Sequence, residues 1–86
     1  MVEREVVVVP EQGIHARPVA RIVQAAKKCE SDITMSKDGM EVSAKSSLRL
    51  TTLGAVKGDT VLIRADGPDE EEAIEAIAAI VTSEEV

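Results

Sequence analysis

The chain holds a single histidine, His15, with Arg17 two residues on and Pro18 after it. A neutral imidazole nitrogen is nucleophilic near pH 7, and the phosphoramidate it forms is a high-energy donor. A guanidinium close by supplies a cationic fork for phosphate oxygens. These residues therefore suit transient carriage of a phosphoryl group. Ser46 is a second candidate, as a hydroxyl open to regulatory phosphorylation beside Lys45 and Arg49. Other chemistries fit less well. One histidine without neighbouring cysteines or paired carboxylates has too few ligands for a metal. A Ser-His-Asp hydrolase needs a pocket that 86 residues are too few to build.

The value of His15 depends on the element behind it. Val19, Ile22, Val23 and Ala26 recur at i, i+3, i+4 and i+7, which predicts a helix over about Ala16 to Lys28 with His15 directly before it. Such an N-terminus carries unpaired amides and a partial positive charge, so a phosphoryl group on His15 would meet the amides of Ala16 and Arg17. Pro18 fits the first turn because its missing N–H has no intrahelical partner there. Arg17, Arg21, Gln24 and Lys28 line another face as a basic stripe.

The remaining elements follow from the same patterning. The β-branched run Val6 to Val9, ending at Pro10, predicts a first strand. Ile33 and Met35, then Met40, Val42 and Ala44, alternate with polar residues around Asp38-Gly39, which predicts a hairpin. A short helix fits Ser46 to Leu53, with Gly54 as its stop. Val61, Ile63 and Ala65 mark a fourth strand closed by Asp66-Gly67-Pro68. Asp69 is expected to cap a last helix whose first turn is acidic and whose apolar stripe is Ile74, Ile77, Ala78 and Val81. The order is β-α-β-β-α-β-α, without repeats or linker. An antiparallel sheet covered by helices on one face, an α+β two-layer sandwich, buries these stripes, and residues 1–86 are expected to form a single domain.

Composition narrows the partners. Aromatic residues are absent, so no side chains can stack on nucleic-acid bases, and the net charge of -6 opposes a general grip on phosphate backbones. The charge is unevenly placed. Between Gly13 and Gly58 eight basic residues face four acids, a surplus of +4, whereas the rest of the chain has two bases and twelve acids, or -10. A basic middle in an acidic protein suits steered docking onto acidic protein surfaces rather than nucleic acid. One cysteine, Cys29, has no intramolecular disulfide partner and is read as inert in a reducing cytosol. No signal peptide or membrane-length apolar run is evident, so a cytoplasmic protein without membrane insertion is expected.

By spacing alone, the ordinary readings remain open and are favoured. His15 fits a surface loop, Arg17 a solvated charge, and Ser46 a helix cap. Leu48 fits either an exposed apolar anchor or a core leucine.

The segment Gly13-Ile14-His15-Ala16-Arg17-Pro18 resembles the active-site motif of the HPr family, the histidine-containing phosphocarriers of the sugar phosphotransferase system. Lys45-Ser46, followed by Leu48, Leu50, Leu53 and Gly54, resembles that family's serine-site segment at the family's distance from the histidine. The resemblance extends over essentially the whole chain. It implies an open-faced sandwich with sheet order 1-4-2-3 and phosphorylation of His15 on Nδ1 by enzyme I, itself charged by phosphoenolpyruvate. The group would pass on to enzyme IIA proteins, with Arg17 stabilising it. Docking would use Ala20, Arg21, Gln24, Lys27, Leu48, Arg49 and Thr52, on a monomer with no cofactor. Some relatives are also phosphorylated at the serine matching Ser46 by an HPr serine kinase, which slows enzyme I and makes the carrier a corepressor partner. Val19 stands where the family usually has a small residue, and Ser47 where it usually has an apolar one. Two alternatives remain at this point: a regulatory paralogue whose phosphorylation state is its output, and an interaction domain without phosphorylation.

Overall fold

Strict alternation sets the sheet. In β4 (Thr60–Asp66), Val61, Ile63 and Ala65 point inward, and in β2 (Asp32–Lys37), Ile33 and Met35 do the same. The computed structural model describes residues 1–83 and orders its four antiparallel strands β1-β4-β2-β3, with β1 at Val2–Val7 and β3 at Met40–Ser43. The helices are α1 (Ala16–Lys27), α2 (Ser47–Leu53) and α3 (Glu70–Val81). This is the β-α-β-β-α-β-α open-faced sandwich, with all three helices on one side of the sheet.

The core lies between those layers. Ile22 and Ala26 of α1, Leu50 of α2, and Ile74, Ile77 and Val81 of α3 pack with Met35, Val61 and Ile63 of the sheet, all wholly buried. Fully burying an aliphatic side chain of this size contributes about 1.5–3 kcal/mol, so aromatic residues are not needed to hold the layers together. Among the described residues, no helix is long and apolar enough to cross a membrane.

The Asp38-Gly39 turn closes the β2–β3 hairpin with both residues at positive φ, 51° and 83°, the pairing a type I′ turn demands.

The first strand departs from the sequence expectation of Val6 to Val9. β1 runs Val2–Val7, pairing Val2 with Ala65 through to Val7 with Thr60. It is an edge strand, so Glu3, Arg4 and Glu5 tolerate exposure inside it, and the valine run marks only its end. Val8 and Val9 lie beyond the ladder because other backbone takes their amides: Val8 N donates to Asp59 O at 2.8 Å and Val9 N to Val81 O at 3.1 Å.

Asp69 also departs from expectation. It occupies the N-cap position of α3 but makes no side-chain capping bond. Its carboxylate instead accepts from the amides of Glu30 and Ser31 and from Ser31 Oγ, tying the entry of β2 to the start of α3. Glu70, in the first turn, accepts from Gly67 N and from the Met1 ammonium.

Candidate functional site

The loop that carries His15 is built by close backbone contact. Gly13, at φ 76°, lies so near the segment after α2 that a Cβ there would stand 2.4 Å from Ala55 O and 2.8 Å from Val56 Cα. Only glycine fits, both for its conformation and for the approach. Next to it, Ile14 is buried and its amide donates to Ala55 O at 3.0 Å. The chain therefore reaches His15 from a fixed point.

His15 is half-buried and extended, at φ -106° and ψ -167°, and stands at the N-cap of α1. Its carbonyl accepts from Val19 N at 2.9 Å, which begins the helical ladder. The imidazole makes no capping bond, so its nitrogens are not committed to holding the helix. Ala16 and Arg17 are exposed in the first turn, Pro18 is buried beneath it, and no acidic side chain occupies that turn. An imidazole at the positive end of a helix is thus followed, within the first turn, by an exposed arginine. That arrangement suits a transferring anion.

Ser46 is the N-cap of α2, and its Oγ accepts from Arg49 N at 3.3 Å. Leu48, in the first turn of the same helix, is 73% exposed, which removes it from the core and leaves an apolar side chain in water. Arg49 and Thr52 are exposed beside it, and α2 packs against α1. Ala20, Gln24 and Lys27 are exposed on α1. Arg21 and Gln24 also line a groove of 420 Å³ between α1 and α3, together with Lys28, Cys29, Asp69 and Glu72. Helical spacing accounts for the split: Arg21 and Lys28 follow the edge of α1 that faces α3, whereas Ala20 and Lys27 follow the opposite edge. The seven docking candidates are thus all at the surface, but Arg21 turns toward α3 rather than α2.

Burial, and next the Asp69 carboxylate, push the Cys29 thiol above its ordinary value, which keeps it protonated and agrees with an inert cysteine.

Sequence reasoning missed the polar contacts of the segment that follows α2. Lys37 Nζ lies 3.1 Å from the Asp59 carboxylate and 3.2 Å from Gly54 O. No spacing rule pairs residues 22 apart. The glycines flanking this segment, Gly54 and Gly58, were the available hint that its backbone is closely constrained.

Comparison with known proteins agrees with this geometry. The family model described as the PTS HPr component phosphorylation site matches residues 2–83. The chain is 44% identical over 81 residues to the phosphocarrier protein HPr of Vibrio cholerae, spanning 94% of this chain and 95% of that one. It superposes on the crystal structure of HPr-C-His from Thermoanaerobacter tengcongensis with a TM-score of 0.92 at 39% identity, covering all of both chains. It is also similar to Crh, the Bacillus subtilis catabolite repression protein crystallised as a domain-swapped dimer, with a TM-score of 0.75 and 43% identity over 94% of this chain and 93% of that one.

Proposed function

The chain belongs to the HPr family of phosphotransferase-system phosphocarriers, and on that premise we propose that His15 accepts a phosphoryl group from phosphorylated enzyme I and delivers it to enzyme IIA proteins. The observation that carries the reading is the imidazole at the N-cap of α1, with no capping bond of its own and no acidic side chain in the turn that follows. In each transfer an unprotonated His15 nitrogen, Nδ1 by family resemblance, attacks phosphorus while the bond to the partner's histidine breaks in line. The charge spread over the equatorial oxygens is met by the first-turn amides and by Arg17. Because Pro18 has no N–H, amide contact is confined to residues 16 and 17 of that turn. The site needs neither metal nor cofactor for this step, since phosphoenolpyruvate supplies the group through enzyme I.

The partners dock over α1 and α2, where Leu48 forms an apolar centre among Lys27, Arg49 and Thr52. Ser46 is the site of a second, regulatory phosphorylation by an HPr serine kinase. The protein works as a cytoplasmic monomer of one domain. A second reading, favoured by the likeness to Crh, is a regulatory paralogue whose phosphorylated form signals to a partner; presence of His15 separates it only from relatives that lack the histidine.

Incubation with phosphoenolpyruvate and enzyme I tests the central claim. An acid-labile, base-stable label is expected on the protein and none on His15→Ala. Labelling that survives in the variant, or none on the parent, overturns it.

A further inference from the structure

The segment between α2 and β4, residues 54–59, is fastened at several points. Gly54 O accepts from Lys37 Nζ at 3.2 Å, and Val56 N donates to the Asp59 carboxylate at 2.9 Å. The same carboxylate pairs with Lys37 Nζ at 3.1 Å. Asp59 N returns to Val56 O at 2.9 Å, while Val8 bonds both Asp59 O and Gly58 N. Between the two anchors, at Gly54 and Val56, lies Ala55, whose carbonyl receives Ile14 N and would stand 2.4 Å from a Cβ on Gly13.

Lys37 reaches this place because it ends β2 on the helix-covered side, in register with Met40 and two residues beyond buried Met35. Its side chain is 20% exposed and that of Asp59 29%, so the pair is partly withdrawn from solvent. An exposed lysine gains little from a single ion pair because ordering its long stem costs entropy. Here one ammonium joins a carboxylate and a carbonyl on the same short segment, so ordering the stem fixes two points of backbone. The amide of Val56 and then Lys37 hold the Asp59 carboxyl below its ordinary value, so it is charged at neutral pH.

We infer that Lys37 and Asp59 are positioning residues for the His15 loop, acting through the Ala55 carbonyl on which Gly13 and Ile14 rest. The inference builds on the reading of His15 as the phosphoryl acceptor. The pair touches neither imidazole nor phosphate. It sets where the loop meets the first turn of α1, and transfer between two histidines depends steeply on such placement.

Lys37→Met keeps the apolar stem and removes the ammonium, and Lys37→Arg restores a cation. Two readouts separate positioning from mere stability: hydrogen exchange of the Ile14 amide, and kcat/KM for phosphoryl gain from enzyme I. Lys37→Met is expected to speed Ile14 exchange relative to the β4 amides and to lower kcat/KM by roughly tenfold, the scale expected for a small misplacement of a reacting group. Lys37→Arg should recover most of both. Adding Lys37→Met to Asp59→Ala should cost little beyond Asp59→Ala alone. Unchanged Ile14 exchange, equal acceleration throughout β4, or faster exchange with undiminished transfer would each overturn the assignment. A parent protein that takes no phosphoryl group would defeat the reading of His15 instead, and the exchange measurement would still report whether Lys37 holds the loop.

Discussion

Asp69 and Ser31 share a 2.5 Å hydrogen bond between the start of α3 and the entry to β2, with Ser31 Oγ donating. Ser31 is wholly buried, and its amide and that of Glu30 donate to the same carboxylate at 3.0 Å. Ser31 first, and then the Glu30 amide, hold the Asp69 carboxyl below its ordinary value. A carboxylate with a depressed folded-state pKa stabilises the fold above its unfolded pKa, about 3.9, and that contribution is lost as pH falls through the folded value. Asp59 and Glu70 are depressed as well and act with the same sign. Urea midpoints measured from neutral pH into acid should therefore fall for the parent. Asp69→Asn should start lower at neutral pH and fall less. An equal acid slope in both proteins would remove Asp69 from the account.

Ser46 offers two separable effects. Its Oγ caps α2 through Arg49 N, so Ser46→Ala is expected to cost about 1 kcal/mol, the usual loss for a helix cap. Ser46→Asp preserves a capping oxygen while adding negative charge near the basic face. It should hold the parent's stability and slow phosphoryl gain from enzyme I, as a phosphoserine would. Equal transfer rates for the parent and Ser46→Asp would leave the serine as a cap alone.

Arg17 is exposed in the first turn of α1. Interactions of an exposed charge contribute little to stability, so Arg17→Ala should melt within about two degrees of the parent. Transfer should slow by about two to three orders of magnitude, the effect of removing a donor aimed at developing charge. A marked loss of stability with normal transfer would reverse the roles. Arg17→Lys should recover the charge without the fork, and hence only part of the rate.

The element order, the β2–β3 turn and the inward faces of β2, β4 and the helices were legible because each has a local period or turn signal. The placement of His15 before α1 was legible for the same reason. β1 was read only in part, since an edge strand tolerates charged residues and its pattern is broken by Glu3, Arg4 and Glu5. Asp69 was placed at the correct boundary with the wrong partner: an acid before a helix reads as a cap, and the competing donors, Glu30 and Ser31, are remote in sequence. The exposure of Leu48 could not be decided either, because a seven-residue helix gives too little periodicity to fix its buried face. Long-range polar contacts such as Lys37 with Asp59 have no sequence period at all.

Leu48 decides what kind of surface α2 presents. At 73% exposure it adds little to the core, so Leu48→Ala should leave the melting temperature close to the parent's, in contrast to the loss of about 2–5 kcal/mol expected for a buried leucine. If partners close over it, the same substitution should speed dissociation of enzyme I by about five- to thirtyfold, corresponding to about 1–2 kcal/mol for an apolar anchor excluded from water. The surrounding charges act on the other rate. Arg17, Lys27 and Arg49 are exposed, and rim charges chiefly steer encounter. Raising the salt through about 0.1 M, where the screening length shortens to about 10 Å, should slow association with enzyme I and change dissociation less. Surface plasmon resonance over a salt series, run on the parent and on Leu48→Ala, resolves both rates. Salt-independent association would remove the steering argument. Unaltered dissociation of a folded Leu48→Ala protein would take Leu48 out of the docking surface, because an exposed leucine that a partner covers cannot lose its contacts without shortening the life of the complex.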